Sequence, residues 1–172
     1  MDDTPLYNST MRRTIFAILT LLLCCGLQAQ EEKPPAWSLK FGQFAVSESF
    51  HGKPALPRLT DPKDKTYRTA IARAARKGPN FAGHYTIAEI GCGSGCMVMV
   101  VVDAITGKAY SAPFASLSFP VGDAREYQGP VYQLKSRLLI ADGCTDEKTC
   151  GAHYYEWKDN RFKLLRFEAA AK

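Results

Sequence analysis

Two groups of side chains have the types and spacing to do chemistry. The first is His84 with the carboxylates Glu89 and Asp103 downstream of it. An imidazole beside a carboxylate is a general base with an orienting partner, so a hydrolase could be built on His84 with Glu89 or Asp103. Asp142 and His153 are further residues that folding could bring to His84. The sequence holds no H-E-x-x-H and no G-x-S-x-G, and no second histidine or carboxylate stands at metal-ligand spacing from His84. The plainer reading of a lone histidine at the start of a strand is structural.

The second group is the thiols. Six cysteines occur, and four of them, Cys92, Cys96, Cys144 and Cys150, lie in the main body of the chain. An even set in a small domain reads as two disulfides where the chain is exported, as its N-terminal region predicts. Three pairings are open. The sequential one, Cys92–Cys96 with Cys144–Cys150, joins cysteines already close along the chain. Such short loops gain about 2 kcal/mol each, against roughly 4 kcal/mol for a link from Cys92 to Cys144. Sequential bridges would therefore shape loops more than hold the fold. The spacings C-x3-C and C-x5-C fit zinc pairs poorly, so no metal is expected.

In Gly91-Cys92-Gly93-Ser94-Gly95-Cys96 the third glycine is misplaced for a dinucleotide fingerprint, and a β-rich run follows where a helix should begin. No cofactor is expected. Ser94 sits between two cysteines with no evident base. The run describes a tight tip between two strands, stapled by its own thiols. Its bland reading is a braced turn. Its functional reading is a rigid loop, Gly93, Ser94 and Gly95, that enters a partner's cleft with little entropy left to lose.

The elements that must position these residues can be read in outline. Trp37 to Phe41 alternates apolar and polar, which predicts a strand. Residues 47–60, with Gly52, Pro54 and Pro57, predict a loop. Asp61-Pro62 opens the main helix, Asp61 capping free N–H groups and Pro62 filling the first helical position. Tyr67, Ala70, Ile71 and Ala74 make its apolar face, Arg73, Arg76 and Lys77 suit its end, and Gly78-Pro79 stops it. From there the chain reads as β. Strands are expected over His84–Ile90, Met97–Val102, Ala109–Ala112, Val131–Leu134, Leu138–Ala141, Tyr154–Trp157 and Arg161–Phe167, the last two joined by the turn Lys158-Asp159-Asn160. Met97–Val102 is apolar throughout and predicts a central strand covered on both faces. The fold class is α+β, a largely antiparallel meander with one main helix packed on it.

The N-terminal region reads as an address. Met11-Arg12-Arg13 followed by an uncharged, mostly apolar run from Thr14 and by Leu27-Gln28-Ala29 resembles a secretory signal, cut near Ala29/Gln30. Met11 then serves as the start and residues 1–10 as an extension. The run is slightly short for a membrane span, so no stable anchor is expected after cleavage. The organisation is residues 1–29 as extension and signal, 30–36 as linker, and 37–172 as a single globular domain. The chain has 22 basic and 17 acidic residues, net +5. The region before the cut holds two of each (Arg12, Arg13, Asp2, Asp3), so the balance is unchanged by processing. The charges are interspersed, which argues against a nucleic-acid partner.

Gly78-Pro79-Asn80-Phe81-Ala82-Gly83-His84-Tyr85, then Gly91-Cys92-Gly93 with Cys96, Val101-Val102-Asp103 and Thr106-Gly107-Lys108, resembles a group of uncharacterised exported bacterial proteins. The resemblance implies export and a shared fold. The layout of a helix, a strand, a small Cys-bounded loop and an apolar strand is similar to periplasmic inhibitors of vertebrate-type lysozyme. In that family the loop carries a histidine that enters the lysozyme cleft; here it is one residue shorter and holds Gly93, Ser94 and Gly95. The expectation is a periplasmic or secreted, disulfide-stapled, non-enzymatic binding module, an inhibitor or immunity-type protein, whose partner is another envelope or secreted protein. The alternatives are the His84 hydrolase and a purely structural envelope protein.

Overall fold

A computed structural model describes residues 36–120, 126–146 and 149–170. The expected signal, both candidate starts and the expected linker up to Pro35 lie outside the described residues. Eight strands follow two short helices. They are β1 (Tyr85–Gly93), β2 (Cys96–Asp103), β3 (Ala109–Ser111), β4 (Leu117–Ser118), β5 (Gly129–Tyr132), β6 (Leu138–Cys144), β7 (Cys150–Lys158) and β8 (Arg161–Ala169). All pair antiparallel in one sheet of order β1-β2-β4-β6-β7-β8, with β3 added to β2 and β5 to β6. Strand makes up 44% and helix 13% of the described residues, so the α+β outline holds with the balance strongly toward β.

Side-chain alternation sorts this sheet into three cores. Odd-numbered residues of β1, β2, β6 and β7 (Ile87, Val101, Leu139, Trp157 among them) meet around Phe81, which is fully buried. Even-numbered residues of β1 and β2 (Ala88, Ile90, Val100, Val102) meet the helix. Even-numbered residues of β6 and β7 (Leu138, Ile140, Ala152, Tyr154) take a third cover. β2 is therefore apolar on both faces because both faces are covered, as its sequence predicts. The sheet wraps round the first core. Tyr85 on β1 lies edge-on to Trp157 on β7, 5.0 Å between ring centres, and its hydroxyl donates to Asn160 Oδ1 at 2.8 Å.

The helix begins as read. Asp61 caps it, Oδ1 accepting from the Lys63 N–H at 2.8 Å, and Pro62 is its first residue. It breaks at Tyr67 into α1 (Pro62–Thr66) and α2 (Arg68–Ala75), and Ile71 and Ala75 carry the burial. Arg76 Nε donates to the Ala72 carbonyl at 3.1 Å, closing the end.

Two expectations are corrected. Trp37 to Phe41 is not a strand: it is an irregular strap running into a 3-10 turn at Phe41–Phe44. Trp37, Leu39, Phe41 and Phe44 are the third cover, laid on β6 and β7. The strap is pinned by scattered bonds instead of a ladder, Ser136 Oγ donating to the Phe41 carbonyl at 2.8 Å, the Ser38 N–H to Tyr154 Oη at 3.3 Å and the Arg137 N–H to the Phe44 carbonyl at 2.8 Å. The β7–β8 turn is also tighter than read. Lys158 pairs with Arg161, leaving Asp159 and Asn160 alone at φ 52° and 57°, the two left-handed residues of a two-residue hairpin.

Candidate functional site

Both thiol pairs are closed in the sequential pairing, Cys92–Cys96 and Cys144–Cys150. Each braces the tip of a hairpin, β1–β2 and β6–β7 respectively. The sequence could not show that the two tips lie together. β4, only two residues long, joins them: Ser118 pairs with Cys96 on one side and with Cys144 on the other. Ser118 Oγ also donates to the Cys144 carbonyl at 3.2 Å, and the Phe119 N–H to the Gly95 carbonyl at 2.7 Å. One end of the sheet is thus a doubly stapled platform.

At its outer tip the register slips between Gly91 and Gly93, so Cys92 is the extra residue of a bulge facing Cys96. Gly93 and Gly95 take φ 139° and 63°, which the turn between the strands demands. Gly91 is different. Its φ is ordinary for a strand, it is exposed, and a β-carbon built there would meet nothing within 4 Å. A glycine inside a strand costs about 0.5–1 kcal/mol relative to alanine. Nothing in the surrounding fold asks for it, and the bare backbone it leaves faces outward.

The second tip is ordered by its own polar groups. Asp146 accepts from the Thr149 N–H at 2.7 Å and from Thr149 Oγ1 at 2.8 Å. Behind it lies His153, buried on β7. Its Nδ1 is 3.3 Å from the Ala141 carbonyl, its Nε2 is 3.3 Å from Thr145 Oγ1, and Phe167 lies 4.5 Å from the ring. Burial is the main cause holding its pKa below the ordinary histidine value, so the neutral ring is favoured. Asp142 is buried on the neighbouring strand and accepts from the Gln128 N–H at 2.9 Å.

His84, Glu89 and Asp103 are not assembled into one site. His84 precedes β1, at the end of that strand remote from the Cys92–Cys96 tip, with its ring 4.1 Å from that of Tyr85. Glu89 lies mid-strand and accepts a hydrogen bond from the Tyr132 hydroxyl. Burial and this carboxylate push the Tyr132 phenol well above its usual pKa. Asp103 caps the turn after β2, taking the N–H groups of Ile105 (2.8 Å) and Thr106 (3.3 Å) and the Thr106 hydroxyl (2.7 Å). Neither carboxylate bonds to His84 among the described residues, and His153 and Asp142 belong to the stapled end. No group of three His, Cys, Asp or Glu side chains among the described residues could hold a metal ion.

The run around His84 is instead a structural device. Asn80 lays its side-chain amide along the outer edge of β1, accepting from the Ile87 N–H at 2.8 Å and donating to the Ile87 carbonyl at 3.1 Å. It thereby stands in for a neighbouring strand. Phe81 pairs with Tyr85 across a tight loop and fills the centre of the core. Gly83 passes so close to the Glu48 carbonyl that a β-carbon would lie 2.5 Å from that oxygen. His84 lines a shallow cleft of about 590 Å³ with Glu48, Arg137 and Asp159.

The chain matches no protein-family model, no curated protein and no solved structure. Among the described residues no helix is long and apolar enough to cross a membrane.

Proposed function

We propose that this protein is an exported binding module of the bacterial envelope, which blocks an envelope-acting or secreted enzyme with its stapled end. The observation that carries this reading is the pairing of two disulfide-braced hairpin tips across Ser118, with Gly91 leaving backbone bare beside them. A surface fixed in advance loses little entropy on docking. Exposed glycine backbone lets a partner's chain approach closely. The two disulfides suit an oxidising compartment, in line with the secretory pattern before Gln30. The likeness in layout to periplasmic lysozyme inhibitors and the motif shared with exported proteins point the same way. The separation of His84 from Glu89 and Asp103 weighs against the hydrolase.

The test uses the oxidised, secreted protein against a panel of wall-degrading enzymes, lysozymes and amidases included, with turbidity loss of peptidoglycan as readout. Inhibition by the parent protein is expected. Gly91→Val and Ser94→Arg should each weaken it at least about tenfold, equivalent to 1.4 kcal/mol, at unchanged thermal midpoint. Absence of any complex across the panel, or tip variants that act like the parent, would remove the case for this surface.

A further inference from the structure

Five large hydrophobic side chains stand exposed among the described residues, and three of them, Leu164, Leu165 and Phe167, lie on β8. β8 ends the strand order, so its outer edge has no partner strand among the described residues. It runs for nine residues. An edge this long presents unpaired N–H and C=O groups that can recruit another strand, and its charged side chains restrict which strands can do so.

The register tells which groups face outward. The Trp157 N–H donates to the Arg137 carbonyl, so Trp157 faces β6 while Glu156 and Lys158 face β8. Their partners Lys163 and Arg161 point back to β7, which turns the backbone groups of Phe162 and Leu164 outward. The Ala170 N–H donates to the Cys150 carbonyl, so beyond the bulge at Leu165 the outward positions are Phe167 and Ala169. The side chains form two rows. Phe162, Leu164 and Phe167 share the face of Trp157, Tyr155 and His153. Arg161, Lys163 and Arg166 share the other with Glu168, which is already engaged by the Tyr154 hydroxyl at 2.8 Å and by Arg166 at 3.5 Å.

We propose that β8 is a docking edge for an extended segment of another protein whose side chains alternate acidic and apolar. Such a segment adds as the next strand, its carboxylates beside the cationic row and its apolar residues beside Leu164 and Phe167. A second copy of this chain fits less well: β8 offers one carboxylate, Glu168, to its three cations, and that carboxylate is already engaged by the Tyr154 hydroxyl and Arg166. The edge meets the second stapled hairpin at its far end, where the Ala170 N–H donates to the Cys150 carbonyl, and the residues it uses are other than the tip residues Gly91 and Ser94.

The experiment is fluorescence polarisation of the oxidised full protein with a labelled nonapeptide of alternating Glu and Val. Saturable binding that weakens in high salt is expected. It should fall at least about tenfold, or 1.4 kcal/mol, for the Lys163→Glu/Arg166→Glu double variant and for the peptide with Lys in place of Glu. Leu164→Pro removes an outward donor while sparing the positions bonded to β7, and should weaken binding similarly; if it unfolds the protein, the charge reversal and the peptide swap decide alone. No saturation by about 1 mM peptide, equal binding of the Lys peptide or by the charge-reversed protein, or a concentration-dependent dimer in light scattering each overturn the proposal.

Discussion

Replacing Cys92 and Cys96 together by alanine separates the role of a staple at a tip from that of a staple in a core. The bridge spans a sequence separation of 4, and Cys144–Cys150 one of 6. Loops that short restrict the unfolded chain modestly, and each bridge contributes about 2 kcal/mol on chain-entropy grounds. The two sites differ in burial: Cys92 is exposed, while Cys144 is 3% exposed. Cys144→Ala therefore adds about 1 kcal/mol of lost packing. For a domain spanning Trp37–Lys172, 1 kcal/mol moves the thermal midpoint by about 3–4 °C. Calorimetry under oxidising conditions should show a fall of roughly 7 °C for Cys92→Ala/Cys96→Ala and roughly 10 °C for Cys144→Ala/Cys150→Ala. Both variants should keep one cooperative transition, because three apolar cores remain intact. If loss of the outer bridge alone abolishes cooperative unfolding, the bridge holds the fold, and the account of the tip as a stiffened docking surface fails with it.

Other outcomes follow from single residues. Asn80→Ala strips the substitute strand from β1 and should cost about 2 kcal/mol, read by urea unfolding, with faster amide exchange at Ile87 as its local signature. Phe81→Ala empties the centre of the main core and should cost about 3–5 kcal/mol. His153 titrates lower in the folded chain than in the unfolded one. Between those two values only the unfolded chain binds the proton, so stability should fall as pH drops below the ordinary histidine range, and His153→Gln should flatten the profile from pH 7.5 to 5. His84→Ala should leave the midpoint within about 0.5 kcal/mol equivalent, since its side chain makes a ring contact with Tyr85 and no hydrogen bond among the described residues.

The legible parts of the sequence were those with a local cause. The start of the helix is written in Asp61-Pro62, the double burial of β2 in an unbroken apolar run, and the thiol pairing in proximity along the chain. Less local causes hid the rest. β4 is too short to carry a pattern, yet Ser118 joins the two stapled tips. Trp37, Leu39 and Phe41 alternate like a strand because they cover one face, which a strap can do without a ladder. Asn80 and Asp103 look like chemistry or turn residues; one imitates a strand neighbour and the other saturates its carboxylate within three residues. Glu89 meets Tyr132 across 43 residues of chain, a distance over which a single sequence gives no signal.

The strap at Trp37–Phe44 sets an order of events. It comes early in the chain, but the surface it covers is made by β6 and β7, and its bonds to Ser136 and Tyr154 span 95 and 116 residues. When the chain emerges N-terminus first, Trp37, Leu39, Phe41 and Phe44 must therefore wait until β6 and β7 have emerged. Contacts at that separation form slowly. During the wait the four side chains are an unsatisfied apolar segment, well suited to a holding chaperone, and their burial marks the moment at which β6 and β7 have paired.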